Sequence, residues 1–184
     1  MGADIPPSPV RNAMRIAQTL LATLLVTSAL SLPALAQIPN PYGLPIGVDA
    51  AKRAAQAALA ESKKNGWTVA AAVVDAGGAL VYFERIDGTQ SGSSEVAQAK
   101  ARSAALFKRP TKAFEDALVG GRQAILSLPG AIPLDGGIPI VVGDKIVGAI
   151  GVSGATSAQD GQCAAAGVAV LDSKSAPAKP VVKK

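Results

Sequence analysis

At 184 residues the chain is long enough for one domain with a buried core and too short for two comfortable ones. Hydrophobic residues make up 49% of it but aromatic ones only 3%, so the core must come from Ala, Val, Ile and Leu, and a base-stacking platform for single-stranded nucleic acid is argued against. The net charge of +5 owes much to Lys174, Lys179, Lys183 and Lys184 in the last stretch, and the remaining charges alternate in sign along predicted helices, which is the pattern of a solvated surface rather than a nucleic-acid face.

Taken in order, the chain opens with Arg11 and Arg15 before an uncharged run from Ile16 to Leu32. Ala34-Leu35-Ala36 then offers the small-x-small site at which a signal peptidase cuts. Residues 1–36 therefore read as a signal peptide, the mature chain as beginning at Gln37, and the destination as periplasmic or secreted. Met14 followed by Arg15 is an alternative start. Pro33 and the shortness of the apolar run argue against a retained anchor, so no membrane span is expected after cleavage. Cys163 is the only cysteine, which leaves no internal disulfide and allows either a buried thiol or an intermolecular bridge.

Residues 37–48, with three prolines, predict an extended entry segment. The domain proper is expected over residues 49–171. Asp49 is placed to cap a helix in which Ala51, Ala54, Ala55, Ala58 and Leu59 recur at helical spacing, ended by Asn65-Gly66. Trp67 to Asp75 and Ala79 to Arg85 predict two strands joined by Ala76-Gly77-Gly78, the first apolar throughout and hence central. A helix is expected from Glu95 to Lys108, stopped before Pro110; another follows with Thr111 as its cap and breaks at Gly120-Gly121; Arg122 to Leu128 allow one further turn. Val141-Val142 and Ile146-Val147 flank Gly143-Asp144, which predicts a second hairpin with a type II′ turn. Along its return strand Ile146, Gly148, Ile150 and Val152 share one face, while Val147, Ala149 and Gly151 form a nearly bare one that invites close approach by a helix, a second subunit or a ligand. Ser157-Ala158-Gln159-Asp160 reads as a capping box opening a helix to Leu171, and residues 172–184 as a disordered basic tail. The order α-β-β-α-α-β-β-α, with two hairpins and no strand-helix-strand alternation, predicts an α+β domain: a mostly antiparallel sheet flanked by helices.

The chemical inventory is defined by what is missing. The chain contains no histidine, and both methionines, Met1 and Met14, lie in the segment expected to be removed. Ser-His-Asp catalysis, histidine zinc sites and His or Met haem ligation are thereby excluded. Gly151-Val152-Ser153-Gly154-Ala155 resembles a nucleophile elbow but has no base to activate Ser153, and reads as a turn. No catalytic constellation and no metal site are expected, which favours a binding protein over an enzyme. Four features remain open. Cys163 among alanines is a buried small hydrophobe or a reactive thiol. Lys100 in an alanine-rich helix either snorkels to solvent or anchors a carboxylate. Tyr82 either packs or offers a phenolate to iron. Asp135-Gly136-Gly137 suits a pocket rim and equally an ordinary turn.

Three stretches, VAAAVVDAGGALVYFERIDG, AQAKARSAALFKRPT and GGIPIVVGDKIVGAIGVSGATSAQD, resemble the GlcG/HbpS-like haem-binding family, related to the C-terminal domain of PduO-type corrinoid proteins. The resemblance runs from about Val48 to Leu171. It implies a central antiparallel sheet flanked by helices, homodimers or higher homo-oligomers, and binding of haem or a related tetrapyrrole by some members. Lys100, Thr111 and the Gly136-Gly137 turn match family positions and, with Ser103 and Asp135, are the candidate ligand-binding residues. Where members use an axial histidine this chain has none; the alternatives are a hydroxyl of Ser103 or Thr111, Tyr82 or Cys163, and oxygen ligation would give weakly held ferric haem. The functional expectation is an exported small-molecule binding protein for haem or a related tetrapyrrole. Two alternatives stand beside it: an accessory protein or enzyme acting on a small organic acid, and a ligand-free structural oligomer.

Overall fold

The computed structural model describes residues 40–171; the expected signal segment and the tail from Asp172 onward lie outside them. Eight regular elements occur in the expected order. Helix α1 spans Val48–Lys64, strands β1 Ala70–Asp75 and β2 Leu80–Arg85, helices α2 Ser93–Phe107 and α3 Lys112–Val119, strands β3 Gly137–Val142 and β4 Lys145–Ser153, and helix α4 Ser157–Ala169. A 3-10 turn, Gln123–Ser127, lies between α3 and β3. The four strands form one antiparallel sheet in the order β2-β1-β4-β3, so the fold is α+β.

The uninterrupted apolar run of β1 is explained by its place. It is an inner strand, and Ala70 to Val74 are fully buried because both sheet faces are covered. Ala71, Val73, Ile140, Ile150 and Val152 join α1 and α4 in one core, while Ala70, Ala72, Val74 and Ala149 meet the alanine face of α2 in another. Alanine on both partners lets α2 lie close to the sheet, and Gly151 marks the nearest approach: a Cβ there would collide with the Ala97 carbonyl oxygen. The bare face of the hairpin is thus a helix seat.

Local chemistry departs from expectation at several points. The Gly143-Asp144 turn is type I′ rather than II′, since both residues have positive φ (53° and 63°). Asp tolerates that region better than most residues, and the mirror-image turn suits the strand twist. Val141 pairs with Ile146 and Ile140 with Gly148, making Val147 the extra residue of a bulge. The bulge shifts Val147 from the face it was expected to share with Ala149 and Gly151 to packing against the α1/α4 core. Asp49 is not the N-cap of α1; Gly47 is, and Asp49 lies in the first turn, where its charge opposes the helix dipole's positive end. The capping box of α4 begins one residue earlier than read, pairing Thr156 with Gln159 and freeing Asp160 to turn inward. Residues 40–47, the described part of the expected entry segment before α1, back the bulge: Gly43 N donates to Ile146 O at 2.8 Å, and Ile46 N to Val147 O at 2.9 Å.

Candidate functional site

Lys100 lies in the middle of α2 with 2% of its surface exposed. Among Ala97, Ala101 and Ala104 the long side chain is the only bulk on that stretch, and it does not snorkel to solvent. Its Nζ donates to Asp160 Oδ2 at 2.8 Å and to the Val152 carbonyl at 3.0 Å. Asp160, on the first turn of α4, also accepts from Ala155 N at 3.0 Å. Lys100 does anchor a carboxylate, but one from its own chain. Burial pushes the Asp160 carboxyl upward in pKa, against the hydrogen bond and charge of Lys100.

The loop from Leu134 to Gly137 threads between α2 and α4 beside this pair. Gly136 has a φ of 120°, and a Cβ on it would come within 2.9 Å of Lys100 Nζ and 2.6 Å of the Val152 oxygen, so glycine is required there. A Cβ on Gly137 would meet the Lys100 carbonyl at 2.5 Å. Thr111 was expected to cap α3; its side chain makes no cap bond, and its hydroxyl accepts from Gly137 N at 2.9 Å while Thr111 N donates to Gly137 O at 2.9 Å. Asp135 N donates to Glu115 Oε2 at 2.8 Å, and Asp135 Oδ1 accepts from Gly136 N at 2.7 Å. Burial raises the Asp135 carboxyl pKa, the Gly136 amide opposes that, and the nearby Glu115 charge adds to it. Ser103 Oγ accepts from Ile132 N at 3.1 Å, fastening the same loop one turn further along α2.

Lys100, Ser103, Thr111, Asp135, Gly136 and Gly137 are therefore brought together, around one loop. Lys100, Ser103, Thr111, Gly136 and Gly137 are buried there, and only Asp135 is part-exposed. Apart from Asp135, whose Oδ2 takes no part in these hydrogen bonds, their polar side-chain atoms are spent within the chain. Such a cluster positions a loop.

The other possible iron ligands are engaged too. Tyr82 donates to Glu84 Oε2 at 2.7 Å, and that hydrogen bond, with burial second, raises its pKa. Cys163 is fully buried in the α1/α4 core, and burial, with Asp160 and Glu61 adding, pushes its thiol up to about 11, which makes a thiolate ligand costly. Among the described residues no group of three or more Cys, Asp or Glu is gathered as a metal site. The donor set does not fit an axial iron ligand.

A groove of about 620 Å³ opens elsewhere, walled by the entry segment, the first turns of α1, the turn end of the second hairpin and Leu171. It borders neither Gly136 nor Lys100. Leu44, Pro45, Ile46, Val48, Val142 and Val147 make it mostly aliphatic, with Arg53 and Asp49 its charged side chains among the described residues. Nothing in the linear pattern singles it out, because its walls come from three separated parts of the chain and the bulge at Val147 supplies part of one of them.

A family model described as haem degrading protein HbpS-like matches residues 46–169, more than half of the chain. Protein GlcG of Escherichia coli (strain K12) is 45% identical over 93 residues, which cover 50% of this chain and 69% of that protein. Among solved structures, a double mutant of Streptomyces reticuli HbpS is similar with a TM-score of 0.65 and 35% identity, covering 70% of this chain and 88% of that one. The Klebsiella pneumoniae protein ORFY is similar with a TM-score of 0.67 and 26% identity, covering 72% and 94%.

Proposed function

The chain belongs to the HbpS-like family, and from that premise we propose that it is an exported protein that binds haem or a related tetrapyrrole without a histidine ligand. The observation that carries this reading is the family match, whose own description names haem and which spans nearly all of the described domain. Export is supported by the Arg-flanked apolar run and the Ala34-Leu35-Ala36 site. Self-association into a homodimer or higher oligomer belongs to the same reading. The absence of any histidine, and of any methionine beyond Met14, means that the iron, when present, would be held by oxygen or left to solvent. The ferric state is then favoured and the affinity modest.

Titrating haemin into the purified protein tests the reading. The expected result is a saturable Soret shift without the spectrum of nitrogen ligation. No shift would defeat the proposal, and a tightly held ferrous complex would defeat the account of its ligation.

A further inference from the structure

Resting on the tetrapyrrole reading, we infer that the guest is held by its apolar face and its carboxylates in the groove beside Arg53, with no bond from the protein to a metal.

The groove's volume, about 620 Å³, lies within the roughly 300–1,000 Å³ typical of small-molecule sites. Its walls are aliphatic: Leu44 is 87% exposed, Val48 58% and Val142 44%, a concentration of open apolar surface that a flat hydrophobic body would cover. Among the described residues Arg53 is the one cation lining it, and none of their ion pairs involves Arg53, not even with Asp49 one helical turn earlier. A guanidinium with no partner among the described residues, beside an apolar wall, matches a ligand with a hydrophobic body and a carboxylate edge, which it can grip by two parallel hydrogen bonds.

Among the described residues the groove holds no group suited to the iron. Of its lining side chains only Asp49 carries an oxygen, none carries sulfur, and the chain has no imidazole. Recognition therefore reads the macrocycle and its carboxylates, and metal-free and iron-loaded guests should bind alike.

Binding of haemin, protoporphyrin IX and protoporphyrin IX dimethyl ester to the purified protein, followed by absorbance and by quenching of Trp67 fluorescence, tests this. Protoporphyrin IX is expected to bind within about threefold of haemin and the ester far more weakly. Arg53→Gln, which removes a charge-assisted hydrogen bond worth about 1.5–3 kcal/mol, should weaken both acids about tenfold or more. Leu44→Asp should weaken all three. Both positions are exposed, so neither change disturbs the core. Haemin binding that is unaltered in both variants overturns the groove while leaving the proposed function standing. Protoporphyrin IX that binds through Arg53 while haemin does not bind keeps the groove and removes haem as the guest. If no tetrapyrrole binds at all, both readings fall.

Discussion

Lys100 shows how little a residue's neighbours in sequence say about its partner. An ammonium buried among alanines must find an anion or lose its charge, and the alanine-rich helix alone leaves open whether Lys100 is buried to anchor a carboxylate or snorkels to solvent. The identity of that carboxylate is not, because Asp160 lies 60 positions away and reaches Lys100 only after α2 and α4 have packed against the sheet. The same holds for Thr111: its place before a helix reads as a cap, and the folded chain uses its hydroxyl on Gly137 instead. Breaking the buried pair strands a charge. Lys100→Met is expected to cost about 3–5 kcal/mol in urea denaturation, and Lys100→Met combined with Asp160→Leu to recover most of it, since a buried pair replaced by apolar groups is often neutral. A single variant as stable as the parent would show that the cluster does not hold the loop.

At the level of elements, the hairpins and helices were readable because their signals are local. Gly77-Gly78 and Gly143-Asp144 demand turns, and the alanine periodicity of α1 and α2 marks their buried faces. The turn type and the bulge at Val147 were not, because they depend on the register that β4 adopts between β1 and β3 and on the entry segment bonded to Ile146 and Val147. The helix seat at Gly151 gives a test of this packing. Gly151→Ala places a methyl against the Ala97 carbonyl and should destabilise the protein by about 1–3 kcal/mol. Gly92→Ala, with ordinary φ and nothing within 4 Å of the added atom, should change stability by less than about 0.5 kcal/mol. Equal effects in thermal melts would mean that α2 does not lie as close to the sheet as described.

For the molecule as a whole, the clustered carboxylates set how stability varies with pH. The Asp135 pKa is raised on folding, chiefly by burial. The folded state therefore binds its proton more tightly than the unfolded chain does. Its contribution is fully present below the ordinary carboxylate range and is lost as pH rises through the raised folded value. Asp135→Asn keeps an oxygen for the Gly136 amide and removes the charge. Its melting temperature should exceed the parent's near pH 7, and the difference should shrink as the pH falls toward about 4, the ordinary carboxylate range. A difference that grows on acidification would reverse the sign of the account.

The sequence by itself determined the fold class, the order of the elements, the family, and the lack of any imidazole, because turn chemistry, periodicity, motif and inventory are properties of short stretches or of composition. It also named Lys100, Ser103, Thr111, Asp135, Gly136 and Gly137, which gather around one loop, but not their partners Asp160 and Glu115. Only the tertiary structure decided that this cluster is closed on itself and that the groove beside Arg53 lies apart from it. Partnership and cavity shape arise where segments distant in the chain meet, and the interactions that select them exist only once the sheet and its helices have packed.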